Sequence, residues 1–295
     1  MAATHEPVAV LGIGAMGHGM AASALRAGIP VIVWNRTMEA TRDLAELGAQ
    51  VADTAAAAAR RAAIVVTMVT DADAVISIAR DQGMLAALAP GAIWVQMSTI
   101  GVAGIDRVAA MVSGERPDVM LLDAPVSGSR DPAERGELII FASGSGETRS
   151  RVEPLFGALG QRTIWVGEVG AGTRLKLVNN TWLAFATEAV AASAALARLL
   201  GLEVGTVADA LGGGPLVSPW QAAKLQRVAS GEFSAQFALS LALKDVHLAL
   251  QAAGDGRLPV LAGLAGEWQQ AVDQGLGEQD LTVVTRVIEE QGGTP

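Results

Sequence analysis

The chain is 295 residues long, enough for two domains at about 150 residues each. Hydrophobic residues make up 51% and charged residues 17%, with a mean hydropathy of +0.38, a balance that excludes intrinsic disorder. The formal charge of −9 comes without any Lys/Arg cluster, which excludes the usual nucleic-acid footprint, and zero cysteines remove disulfides, thiolate metal sites and cysteine nucleophiles together.

Residues 1–7 have neither a basic segment nor an apolar signal core, so a cytoplasmic location is expected. Short β-rich runs follow at Val8–Gly12, Val31–Asn35, Ala63–Val69, Ile93–Met97, Met120–Pro125, Leu138–Ser143 and Thr163–Val166. Stretches with helical spacing, such as Met16–Ala27 and Met38–Leu47, separate them. That alternation predicts a doubly wound, mainly parallel sheet with helices on both faces. Right-handed crossovers then place a ligand at the C-terminal ends of the strands.

The first strand runs into Gly12-Ile13-Gly14-Ala15-Met16-Gly17, which opens a helix. The first glycine permits a tight turn, the second lets a pyrophosphate approach the backbone, and the third lets helix and strand pack closely. The helix N-terminus attracts the anion. A glycine pattern alone is weak in a chain with 34 glycines. Here a strand precedes it, a helix follows, and a second strand comes at the expected distance.

That second strand ends in Trp34-Asn35-Arg36-Thr37, where an NAD-type site places Asp or Glu on the ribose. Arg36 suits a 2′-phosphate and can stack on adenine, with Asn35 and Thr37 as neutral partners, which predicts NADPH. The same residues could instead be a solvated arginine at a helix start capped by Thr37. Met68-Val69-Thr70-Asp71 and Met97-Ser98-Thr99 end two further strands on the ligand side, so Met68, Val69 and Thr99 can line the cofactor.

No charge occurs between Asp81 and Asp106, long enough to span a bilayer, but Pro90-Gly91 and Ser98-Thr99-Ile100-Gly101 divide that stretch. The apolar stretch Leu175–Leu200 carries Lys176, Asn179, Asn180, Glu188 and Arg198, each costing on the order of several kcal/mol in lipid. Neither reads as a membrane span. Beyond Val166 the strand signals stop, and helical patterns run over Gly172–Leu200, Val204–Leu211, Pro219–Ala229, Ala238–Ala253, Pro259–Gln274 and Leu281–Glu290. The long first helix is expected to join a nucleotide domain, 1–166, to an all-α domain, 167–295. Its alanine-rich face suggests packing against a partner subunit. His5, His18 and His247 are too few for a histidine-rich metal centre; no metal is expected, and neither His18 nor His247 is given a catalytic role.

Four motifs occur in register: Gly12–Gly17, Asp123-Ala124-Pro125-Val126-Ser127-Gly128, Gly170-Ala171-Gly172-Thr173-Arg174-Leu175-Lys176-Leu177-Val178-Asn179-Asn180, and Lys244-Asp245. Together they resemble the β-hydroxyacid dehydrogenase family over nearly the whole chain. Ser127-Gly128-Ser129 followed by Pro132-Ala133-Glu134 most resembles its glyoxylate/succinic semialdehyde reductase branch. The resemblance implies a Rossmann domain, a long interdomain helix and a helical C-terminal domain that forms a homodimer or homotetramer. It also implies that Thr99 approaches nicotinamide and substrate, that Lys244 closes over the cofactor, that Asp245 helps fix the C-terminal helix, and that Phe237 borders the substrate. On its own, Phe237 reads as a core aromatic.

Chemistry agrees with that resemblance. Lys176 and Asn180, four apart, lie on one helix face, expected to face the interdomain cleft. Reduction of a carbonyl needs hydride at carbon and a proton at the developing alkoxide, which a lysine ammonium can stabilise and protonate. Asn180 can orient lysine and substrate without a competing charge. The hydroxyl of Ser127 and the backbone at Gly128 suit a substrate carboxylate, although a simple turn would read the same way. The expected substrate is a small carboxylate-bearing aldehyde or ketone.

Other functions stay open at this level. An imine reductase would share architecture and cofactor but usually lacks the lysine; Trp182, Phe185 and Trp220 could line its wider apolar pocket. A 6-phosphogluconate dehydrogenase would be much longer and would use a histidine near the lysine. A non-catalytic nucleotide-binding scaffold would have lost Lys176. The segment Leu211–Trp220, with three consecutive glycines and two prolines, departs from the family pattern beside the expected pocket.

Overall fold

The computed structural model describes residues 5–291. Two compact units meet within one helix, the first ending at Lys176 and the second starting at Leu177. The first unit holds nine strands: β1 (Val8–Leu11), β2 (Val31–Trp34), β3 (Gln50–Val51), β4 (Ile64–Thr67), β5 (Ile93–Gln96), β6 (Met120–Asp123), β7 (Val126–Ser127), β8 (Leu138–Gly144) and β9 (Gly160–Trp165). Their order is β3-β2-β1-β4-β5-β6-β8-β7, with β9 on the free side of β8.

From β3 to β6 every pairing is parallel, with Val8 opposite both Val31 and Ile64. Parallel strands covered on both faces read as unbroken apolar runs, and Val-Ala-Val-Leu, Val-Ile-Val-Trp and Ile-Val-Val-Thr are such runs. Side chains alternate between two cores. Val8, Val10, Val31, Val33, Ile93 and Val95 join Met20, Leu44 and Phe156 on one face. Ala9, Leu11, Ile32, Trp34 and Trp94 join Met84, Leu85 and Ile105 on the other. Trp94 is wholly buried, and its indole N–H donates to Thr67 Oγ1 at 3.0 Å.

Beyond β6 the sheet departs from the parallel expectation. β8 runs antiparallel to β6 and to β7, and β9 then runs parallel to β8. The chain reverses between β1 and β4, where strand order changes direction and dinucleotides bind in sheets of this order.

The long helix Ala171–Leu199 links the units. Its 29 residues span roughly 43 Å at 1.5 Å per residue. Among the described residues it is the one helix long and apolar enough to cross a membrane, on length and composition alone. Helices Val204–Leu211, Pro219–Ala229, Leu239–Ala253, Pro259–Ala271 and Val284–Gln291 follow. The Gly-rich segment after Leu211 ends at Ser218, which caps the next helix through a reciprocal pair with Gln221, with Pro219 in its first turn. The helix expected over Pro259–Gln274 stops at Ala271, because the chain widens into a π turn that Gly275, at φ +82°, closes.

Candidate active site

The glycine loop follows β1 directly. Gly12 has φ +98°, and a Cβ there would lie 2.4 Å from Met68 O, so this position admits only glycine. At Gly17 a Cβ would lie 1.9 Å from Gly12 O, which is the close helix–strand approach the third glycine allows. A Cβ at Gly14 would meet nothing within 4 Å; the loop is open there, above the first turn of Ala15–Arg26. The backbone at Gly14 is thus open to the approach of a pyrophosphate. A cleft of about 500 Å³ opens beside it, lined by Ile13, Gly14, Ala15, His18, Arg42 and Arg130 among others. His18 bonds Asp43 across 2.5 Å, and that bond holds the Asp43 carboxyl below the usual range.

Asn35 does something the sequence did not reveal. Its Oδ1 accepts from the Ile13 N–H at 3.0 Å, and its Nδ2 donates to Thr37 O at 2.9 Å. The side chain is therefore a strut between the ends of β1 and β2, which shapes the loop from below. Arg36 and Thr37 next to it are exposed, and neither side chain has a hydrogen bond or ion pair among the described residues. Thr37 stands at the start of a 3₁₀ turn without capping it through its hydroxyl.

The ends of β4 and β5 are braced by two residues outside the sequence-level set. Ser98 Oγ accepts from the Val69 N–H at 2.8 Å, and Gln96 grips the Ser98 backbone with bonds of 2.7 and 2.9 Å. Gln96 and Ser98 are buried, so Met68, Val69 and the half-buried Thr99 sit on fixed backbone. An apolar run ending in Gln-Met-Ser-Thr carries no signal for this, since the bond from Val69 to Ser98 crosses from one strand end to the next and Gln96 supports it from two residues away.

Ser127 ends β7 opposite Ile139, half-buried, and its hydroxyl has no hydrogen-bond partner among the described residues. Gly128 follows at φ +134°, where a Cβ would press on Leu138 and Pro132. Lys176, the last residue of the first unit, is 8% exposed on the long helix.

In the second unit Asn180 is buried and its Nδ2 donates to Asp245 Oδ2 at 2.6 Å, while Asn179 Nδ2 donates to Asn180 Oδ1 at 2.9 Å. Lys244 Nζ stands 3.0 Å from the other Asp245 oxygen. Asn180, Asp245 and Lys244 thus form one chain between the long helix and Leu239–Ala253. Phe237 is half-buried, and its backbone is held by Asp280 and Leu281. His247 is exposed and, with Lys244, lines a recess of about 350 Å³. Among the described residues no cluster of three or more His, Asp or Glu could hold a metal ion.

Residues 7–167 match the model of the NAD binding domain of 6-phosphogluconate dehydrogenase. Residues 170–288 match that of the NAD-binding domain of NADP-dependent 3-hydroxyisobutyrate dehydrogenase. Glyoxylate/succinic semialdehyde reductase 1 of Arabidopsis thaliana is 31% identical, over 95% of this chain and 98% of its own. The 3-sulfolactaldehyde reductase of Escherichia coli is 30% identical over 97% of each chain. A 3-hydroxyisobutyrate dehydrogenase from Salmonella typhimurium superposes with a TM-score of 0.86 at 27% identity, covering 96% of this chain and 99% of that one. An open glycine loop at a strand-order reversal, a buried lysine on the linking helix and end-to-end similarity agree: the chain belongs to the β-hydroxyacid dehydrogenase family of NADP-dependent oxidoreductases.

Proposed function

We propose that the protein reduces a small carboxylate-bearing aldehyde or ketone, of the glyoxylate or semialdehyde type, to the hydroxy acid with NADPH. The observation that carries this reading is Lys176, a buried lysine in the family motif of the long helix, in a chain end-to-end similar to a glyoxylate/succinic semialdehyde reductase. Gly12 to Gly17 and Met68, Val69 and Lys244 hold the dinucleotide, and Arg36 with Thr37 meets its 2′-phosphate. The dinucleotide, when bound, supplies a hydride to the carbonyl carbon. Ser127 and Gly128 hold the substrate carboxylate, Thr99 and Phe237 border the substrate, and Lys176 hydrogen-bonds the carbonyl oxygen. Its ammonium offsets the charge that grows there and delivers the proton. Asn180, anchored by Asp245, keeps that turn of the helix in place.

The nucleotide-binding domain is 1–166, which also supplies Thr99, Ser127 and Gly128 to the substrate, and the helical substrate and self-association domain is 167–295, which also supplies Lys244 to the dinucleotide. We also infer a cytoplasmic homodimer or homotetramer that works on small molecules and not on nucleic acid or membranes. Exposed Val178 and Trp182 on the long helix and the charge of −9 support this. A panel of glyoxylate, succinic semialdehyde, neutral aldehydes and a cyclic imine, followed at the NADPH absorbance band, tests the function. Fastest turnover is expected for a carboxylate-bearing aldehyde with NADPH. A preference for the imine would favour an imine reductase, and NADPH binding without turnover on any of them would favour a scaffold.

A further inference from the structure

Asp123 ends β6 and is wholly buried, yet none of the proposed chemistry uses it. Its Oδ2 accepts from the Thr173 N–H at 2.7 Å and its Oδ1 accepts from Thr173 Oγ1 at 2.8 Å. Ser143, opposite Asp123 on β8, accepts from the Gly172 N–H at 2.9 Å and offers its hydroxyl to Asp123 O and Oδ2, at 3.1 and 3.3 Å. Two of the orphan N–H groups of the long helix are therefore taken up by a carboxylate and a hydroxyl fixed on adjacent strands. The fit is tight. A Cβ on Gly172 would lie 2.3 Å from Phe141 O and 2.8 Å from Asp123 O, so the helix start is wedged against the ends of β6 and β8. Burial pushes the Asp123 carboxyl up, and the bonds from Thr173 and Ser143 oppose that shift.

We propose that Asp123, with Ser143, is a positioning residue for the reduction: by gripping Gly172 and Thr173 it sets the axial position and rotation of the helix turn that carries Lys176. The inference rests on the reading of Lys176 as proton donor. Lys176 lies three residues past Thr173, on the same helical face. A carboxylate accepting two bonds from one residue fixes rotation as well as height, which a single cap would not. A misplacement of about 1 Å at such a group can cost about 10²-fold in rate.

The experiment uses the full-length enzyme and the preferred substrate from the panel. Thr173→Val removes one bond to Asp123 without changing side-chain shape, and Asp123→Asn keeps one oxygen for the Thr173 N–H but sets an amide NH₂ where Thr173 Oγ1 donated, removing the carboxylate charge from both bonds. Both are expected to lower kcat by about 10- to 100-fold, with the NADPH Kd within about threefold of wild type. Thr173→Ser, which keeps the hydroxyl, is expected to recover most of kcat. In a Lys176→Ala background, Thr173→Val should add no further loss, because the group it positions is gone. Should Asp123→Asn fail to fold, the Thr173 series decides alone. Unchanged kcat in Thr173→Val, or an equal further loss in the Lys176→Ala background, overturns the proposal. Full activity of Lys176→Ala by itself would instead overturn the assignment of the lysine.

Discussion

Arg36 has an exposed guanidinium with no partner among the described residues, so its charge is available to a ligand phosphate. A charge-assisted bond of this kind contributes about 1.5–3 kcal/mol, so Arg36→Ala should weaken NADPH roughly 10- to 150-fold and leave NADH nearly unchanged. A fluorescence titration with both dinucleotides measures it. Asn35→Asp tests the neighbouring position: the acceptor for the Ile13 N–H survives, but the donor to Thr37 O is lost and a negative charge is set beside the proposed 2′-phosphate site. Its Kd should rise for NADPH and not for NADH. The glycine loop was legible because each glycine answers a local demand, a positive φ at Gly12 and a backbone 1.9 Å from any Cβ at Gly17. Asn35, Gln96, Ser98 and Asp123 were not legible as braces. Asn35, Ser98 and Asp123 bond across strands or from strand to helix, where only the register of β1 on β2, β4 on β5 or β6 on β8 brings the partners together, and Gln96 acts through Ser98, two residues on.

Elements with long patterns were read with boundaries near the observed ones, while β3 and β7 were missed because two residues cannot show a period. The antiparallel turn of β8 was also out of reach, since alternation in a strand does not state its direction. Helix pairs in the second unit carry buried charge whose effect can be measured. Lys224, 3% exposed, places Nζ 2.8 Å from both oxygens of the fully buried Asp280, which also accepts from the backbone N–H of Gln236 and Phe237. Burial pulls the Lys224 ammonium down and pushes the Asp280 carboxyl up, but the bonds and charge of Lys224, with the bonds from Thr282 and Gln236, together hold Asp280 below the usual carboxylate range. Removing one partner of a buried pair costs about 3–5 kcal/mol, so Lys224→Met should lower the urea midpoint of the second unit and loosen the Phe237 segment.

Glu188 and Glu267 supply a pH test at the same scale. Burial, reinforced by the charge of Glu267, pushes the Glu188 carboxyl up to about 7, against the bond from the Trp268 indole at 3.2 Å. Below the unfolded value near 4.5 both states hold the proton. Between there and about 7 the native state keeps a proton that the unfolded chain has lost, so stability falls as pH rises through this window. The slope is at most about 1.4 kcal/mol per pH unit, reduced by solvent reaching the partly exposed pair. Denaturant melts of wild type and Glu188→Gln across the window should show the slope in the first and a shallower one in the second, where burial still raises Glu267.

At the scale of the whole molecule, the high hydropathy belongs to a sheet covered on both faces and to alanine-rich helices. On the proposed reading, the excess of acidic residues leaves the binding of two anions to a few placed groups, Arg36, Lys176 and Lys244, together with the open backbone at Gly14. NADPH at 100 times its Kd should then stabilise the protein against unfolding by about 2.7 kcal/mol, seen as a raised Tm. The proposed reduction turns on one side chain, and steady-state kinetics of Lys176→Ala test it. With NADPH and the best carboxylate-bearing aldehyde, the variant should bind the dinucleotide as wild type does and lose about 10²- to 10⁴-fold in kcat. Undiminished kcat with intact NADPH binding would contradict the mechanism.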